Sequence, residues 1–217
     1  MSIITLNRKN RLFTQIKNKT ALFIATAFTI STITMAQNNK PATDFMAVPG
    51  PIVFDSKAYN LNWSSHPAAN FYKQEYLVKG ENEDKYKTML LIDAITGQQE
   101  LKDVVRTKVA ELKKMKEGNP VINYEIIQNP KTSEYMLDFL LTVNAADGSI
   151  SIIERNVYRY KAFTDKAGKK AVMLLGVSTR AYGAAAANQL LIALKANRKE
   201  LMNKVAQFKI PELNINN

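Results

Sequence analysis

Apolar and polar residues alternate in short runs along most of this chain, and in two stretches they recur instead every three or four positions. The runs PIVFD (51–55) and AYNLNW (58–63) predict two short strands. FYKQEYLV (71–78) and YKTMLLIDAI (86–95) predict two longer ones, joined by a turn at GENEDK (80–85). Thr96-Gly97-Gln98-Gln99 has the form of a capping box, so a helix is expected to start there. Leu101, Val104, Val105, Leu112 and Met115 share one face of it, with Val109 beside them, and Lys108 stands where an apolar residue belongs. Its outer face carries Lys102, Arg106, Lys113, Lys114 and Lys116, as a solvated face does. Gly118 and Pro120 end it. Four more strand-like runs follow at 121–128, 134–144, 150–163 and 170–182. A helix over 184–208 closes the pattern, with Ala187, Leu190, Leu191, Leu194, Leu201, Val205 and Phe208 as its buried stripe.

The connections between the last four strands are short, which makes neighbours antiparallel and the group a meander. Asp147-Gly148 reads as a two-residue type I′ turn pairing Ala146 with Ser149. That register sets Tyr135 against Tyr160, Leu137 against Tyr158 and Val143 against Ile152, an apolar face suited to the core. Two pairs fit that face badly: Phe139 with Asn156, and Leu141 with Glu154. On the opposite face Glu134 meets Lys161, and Asp138 lies opposite Val157 and diagonal to Arg155 and Arg159. The expected fold class is α+β: an antiparallel β-sheet meander packed by two amphipathic helices, an α-β-α sandwich.

Composition changes the picture at the N-terminus. Residues 1–20 carry five basic residues and no acid, and ALFIATAFTISTITM (21–35) follows without charge. Thr34-Met35-Ala36 places small residues at the −3 and −1 positions of a cut before Gln37. This is the form of a secretory signal peptide, and the apolar run is short of the roughly 20 residues a spanning helix needs. The expected organisation is a signal peptide at 1–36, a linker at 37–50, one α+β domain at 51–210 and a tail at 211–217, with the product periplasmic or secreted and no stable membrane insertion after cleavage. Without residues 1–36, which hold five of the 30 basic residues and none of the 19 acids, the net charge falls from +11 to +6. That is too small a surplus to mark a nucleic-acid binder.

The chemistry available is narrow. There is no cysteine and a single histidine, His66, so disulfides, cysteine nucleophiles, zinc sites of His and Cys ligands and a lipidated N-terminal cysteine are excluded. No glycine-rich phosphate loop and no nucleophile elbow occurs. No cofactor and no metal are expected. Glu81, Glu83 and Asp84 read as a solvated hairpin tip. Asp93 stands in an apolar strand, as a buried acid or as the polar edge of the strand's end. Asp138, Arg155 and Arg159 form either a charge ladder across a solvated sheet or a site for an anionic group. Trp63, His66 and Tyr72 form either the lip of a ligand site or a loop in which Trp63 plugs one end of the core.

The order of elements, with the aromatic-rich strand FYKQEYLV, resembles the PsbP/Mog1-type α-β-α sandwich. The stretch NFYKQEYLVKGE…YKTMLLIDA also resembles small secreted bacterial proteins of unknown function. The resemblance spans about residues 51–208 and implies an accessory or binding protein, with no catalytic residues to carry over. The expected function is a non-enzymatic binding module of the cell envelope, its partner an envelope protein. The alternatives are a small-molecule or anionic-ligand binder using the Asp138/Arg155/Arg159 face, and a carboxylate-dependent hydrolase.

Overall fold

The chain is described here by a computed structural model, in which residues 41–166 and 168–215 are described. The signal segment 1–36 and its cut before Gln37 lie outside the described residues. Among the described residues there are eight strands: β1 (Ile52–Phe54), β2 (Lys57–Ala68), β3 (Phe71–Val78), β4 (Thr88–Ile95), β5 (Asn123–Gln128), β6 (Tyr135–Asn144), β7 (Ile150–Thr164) and β8 (Lys170–Tyr182). Helix α1 (Leu101–Gly118) follows β4, and α2 (Ala184–Gln207) follows β8. All strand pairs are antiparallel, in the order β1-β2-β3-β4-β8-β7-β6-β5. Two four-strand meanders are therefore sealed together along β4 and β8.

The α-β-α sandwich expectation is wrong. One large sheet dominates the fold, and the helices cover only parts of it. Helix α1 packs on β5, β7 and β8, and α2 packs on β7 and β8. Much of the α2-side core is completed by extended chain instead. Met46 and Val48 are buried there, and so is Ile215. The segments expected to be linker and tail thus contribute to the core, with the Asn214 amide donating to the Met46 carbonyl at 2.9 Å. A polar residue explains why residues 45–48 are held. Gln74 is fully buried; its Oε1 accepts the amides of Phe45 and Met46 at 2.8 and 3.1 Å, and its Nε2 donates to the Val48 carbonyl at 3.3 Å. Buried polar groups need such partners.

The predicted meander register holds from Tyr135↔Tyr160 to Val143↔Ile152, for a reason other than the predicted turn. Gly148 has a positive φ and Asp147 does not, so the turn is not type I′. The Gly148 amide donates to the Ala145 carbonyl, and a register shift follows between Val143 and Asn144. The longer loop and the shift offset each other. The capping box does not form either. Gly97 and Gln98 turn the chain with positive φ, and α1 begins after Glu100 with no side-chain cap.

Strand β2 is longer than predicted and runs through Trp63 and His66, which sit on a strand and not in a loop. Trp63 does not plug the core: it is 39% exposed. Lys108 is buried with the α1 stripe where the apolar residue was missing, its Nζ 5.5 Å from the Phe139 ring centroid and 3.1 Å from Glu111 Oε2. The long stem fills the apolar position and the ammonium keeps a counter-charge and an aromatic face.

Where β4, β8 and β7 cross, Leu91, Gly176 and Tyr158 lie in one lateral row. A Cβ on Gly176 would stand 2.8 Å from Tyr158 Cε1 and 2.9 Å from Leu91 Cδ1. The Tyr158 ring is itself held by Phe139, edge-on at 4.9 Å. Gly176→Ala is expected to destabilise the protein by about 1–3 kcal/mol in urea denaturation. Gly118→Ala, whose Cβ meets nothing within 4 Å, should not.

Candidate functional site

Side chains alternate across a strand, so β7 sends Arg155, Val157 and Arg159 to the α2 side and Glu154, Asn156, Tyr158 and Tyr160 to the α1 side. Each side has charge to settle. On the α2 side, Arg155 Nε and Nη2 reach the two carboxylate oxygens of Asp138 at 3.0 and 3.2 Å. Arg155 Nη2 also donates to the Arg198 carbonyl at 2.7 Å, and Arg198 Nε donates to Asp138 Oδ2 at 2.6 Å. Arg159 Nε binds Glu134 Oε2 at 2.8 Å, in place of the expected Lys161 pairing. Its Nη1 donates to the Val205 and Phe208 carbonyls at 3.3 and 2.9 Å. Those carbonyls lie at the C-terminal end of α2, where the helix leaves acceptors unpaired. The ladder is therefore not solvated. Asp138 and Arg155 are buried beneath α2.

The other candidates separate. His66 stacks on Tyr72 at 4.1 Å between centroids, with Phe45 5.7 Å from His66. Trp63 pairs with Glu75 across β2 and β3, on the face opposite Tyr72. The proposed lip of three residues is thus two residues on one side and one on the other.

Sequence reasoning noted the misfits on the α1 side without making a site of them. Glu154 and Asn156, the two polar residues that spoiled an apolar face, are both buried. Glu154 Oε2 accepts the Tyr86 hydroxyl at 2.5 Å and Arg180 Nε at 2.8 Å, and its Oε1 accepts Asn156 Nδ2 at 3.1 Å. The Asn156 amide oxygen accepts the Ser178 hydroxyl. Arg180 lies over the Tyr86 ring at 4.1 Å. Burial, and then the Glu154 charge, push the Tyr86 phenol up, so it keeps its proton and donates. This network satisfies itself and is structural.

One row further along, the accounting does not close. Lys73 on β3 faces Asp93 on β4, with Nζ 3.6 Å from Oδ2. Asp93 is 4% exposed, and its Oδ1 is buried with no hydrogen-bond partner among the described residues. Glu81 Oε2, in the β3–β4 connection, shares that condition, but Glu81 is half-buried and a small movement would wet it. Glu75 stands diagonal to Asp93, a spacing of about 7–8 Å in an antiparallel pair. Burial pushes the Asp93 carboxyl up, against the pull of Lys73. Burial also pushes Glu75 up to about 7; Lys73 opposes this and Asp93 adds to it. Burial pushes the Lys108 ammonium down, while Glu111 holds it up.

The geometry is a lateral row of Trp63, Glu75, Leu91, Gly176 and Tyr158, flanked by Lys73 and Asp93. It offers carboxylates to a hydrogen-bond donor, with the half-exposed Trp63 ring at its outer end. Among the described residues no group of three or more His, Cys, Asp or Glu side chains is placed to hold a metal. The register makes this row recognisable after the fact. Asp93 inside TMLLIDAI was its one visible sign in the sequence.

A protein-family model matches residues 46–210. The chain belongs to that family, whose function is uncharacterised. The matched span takes in all eight strands, both helices and both charged layers. Nothing in the family match supports a PsbP/Mog1 relationship. No curated protein matches the chain.

The Glu75 shift has a signed consequence. Its carboxyl holds a proton more tightly in the folded state than in the unfolded one. Stability contributed by the protonated form is present below 4.5 and is lost as pH rises to about 7. Asp93 acts in the same direction. Glu75→Gln is expected to leave stability near pH 4 almost unchanged and to raise it at pH 8 by up to about 3 kcal/mol. Urea midpoints at the two pH values check this, and an equal effect at both would refute it.

Proposed function

We propose that this protein is an exported, non-enzymatic binding module of the cell envelope, and that its ligand is a small molecule donating hydrogen bonds to Asp93 and Glu75. One observation carries the reading: Asp93, inside the sheet, has a buried carboxylate oxygen with no hydrogen-bond partner among the described residues. Buried polar groups are otherwise nearly always satisfied, and leaving one bare costs about 1–3 kcal/mol. A ligand amine or hydroxyl supplies the missing donor. Trp63, at the exposed end of the same row, suits a flat apolar body. The Asp138/Arg155/Arg159 layer suits this role less, since its guanidinium groups already hold carboxylates and α2 carbonyls. The signal-like N-terminal pattern supports export. The absence of cysteine and of a second histidine favours binding over chemistry.

One observation favours a second reading. Glu75, brought to about 7 beside a second carboxylate, is in the range of a general acid or base, as a hydrolase needs. A single experiment separates the readings. Thermal shift of the protein with a panel of small amines and a panel of polyols is repeated with Asp93→Asn, and hits are followed for turnover. The proposal expects a stabilising compound from one panel, recovered unchanged, with the shift lost in Asp93→Asn. Product formation lost in Glu75→Gln would replace it with the hydrolase reading. No shift from either panel would mean that water fills the Asp93 position.

A further inference from the structure

We propose that the protein forms a twofold dimer in which β5 pairs antiparallel with β5 of a second copy, centred on Ile126. The inference rests on how the two edges of the sheet are treated, and it stands apart from the ligand reading. An edge strand exposes unpaired N–H and C=O groups, and proteins that stay monomeric shorten, charge or bulge their edges. The β1 edge is protected in this way. It has three residues, follows Pro51, and runs into Asp55, Ser56 and Lys57. The β5 edge is not. It has six residues, NYEIIQ, paired to β6 without a register shift. It contains no lysine and no proline, and its single charge, Glu125, is held at 2.7 Å by Arg198.

Ile126 and Ile127 point to opposite faces of β5, and both are exposed, at 41% and 39%. Burial of one face alone would not expose both. What is left uncovered is the strand edge together with its flanks, which is the surface another strand would cover.

A second copy fits that edge, and the edge's one charge favours a single register. A twofold axis perpendicular to the sheet keeps faces together, so each residue pairs with one on its own face. Centring the pair on Glu125 would set two carboxylates directly opposite, which destabilises cross-strand pairing. Centring it on Ile126 sets Ile126 against Ile126, Tyr124 against Gln128, and Glu125 against Ile127. No like charges then meet, and both exposed isoleucines are covered. Ile126 also ends the lateral row through Leu137 and Tyr158, so the pairing would continue the sheet's apolar layer into the partner.

The chain has no cysteine, which allows a clean test. The mass of the protein in solution is measured by light scattering across a concentration series, alongside Ile126→Lys and Val53→Lys. Single variants Ile126→Cys and Ile127→Cys are then oxidised mildly. The proposal expects a dimer that becomes monomeric in Ile126→Lys with unchanged circular dichroism, while Val53→Lys at the other edge stays dimeric. It expects Ile126→Cys to crosslink to itself efficiently, because paired residues bring Cβ atoms near disulfide distance. Ile127→Cys should not, because its neighbour is Glu125. A monomer at every concentration overturns the proposal. A dimer that ignores Ile126→Lys, or equal crosslinking at the two positions, overturns it too.

Discussion

Arg155 is a charged residue near the middle of a buried strand, and its guanidinium must find partners where it lies. Burying an unpaired charge would cost several kcal/mol, so the surrounding chain is arranged around it. Asp138 takes two of its donors from the neighbouring strand, and the Arg198 carbonyl of α2 takes a third contact. Arg159, two positions along the same face, reaches the carbonyls at the end of α2. Helix α2 buries only Ala187 and Val205 fully, and Asn197 breaks its helical geometry just before Arg198. A helix with so thin a buried stripe is positioned here by charge as well as by apolar contact. The charged face of β7 is a clamp for α2, which leaves the opposite face as the one with chemistry unsettled.

The strands were legible because period-two alternation is a strong local signal. β3 falls on the predicted residues, and the β6–β7 register matches pair for pair through most of its length. The α2 stripe was legible for the same kind of reason: none of its seven predicted positions is fully exposed. Proportion was not legible. Alternation says that a strand has two faces but not what covers each, and here residues 45–48 and 213–215 do part of the work assigned to helices. Caps and turns failed because they depend on backbone angles set by neighbours. Gln98 adopts a positive φ that no capping-box spacing reveals.

The residues that broke the pattern were the informative ones. Lys108 in an apolar stripe, Asn156 opposite Phe139, Glu154 opposite Leu141 and Asp93 in an apolar strand each interrupt the pattern of their element. All four are buried. Three of them are satisfied by partners distant in sequence or by a helical neighbour: Tyr86 and Arg180 for Glu154, Ser178 for Asn156, Glu111 for Lys108. Asp93 is satisfied only on one oxygen. Long-range pairing cannot be counted from a sequence, so the sequence marked where polar groups intrude but not which intrusion stays open. Trp63 shows the same limit. It lies three residues from His66 in sequence, yet β2 sends it to Glu75 and sends His66 to Tyr72.

Hydrogen exchange of the Arg155→Ala/Arg159→Ala double variant tests the clamp most directly. If these guanidinium groups hold α2 on the sheet, amides in the second half of α2, after Asn197, lose protection on the order of tenfold or more, while β3, β4 and β8 keep theirs. Unchanged protection in that half of the helix would contradict the account, because α2 would then be held by its apolar stripe alone.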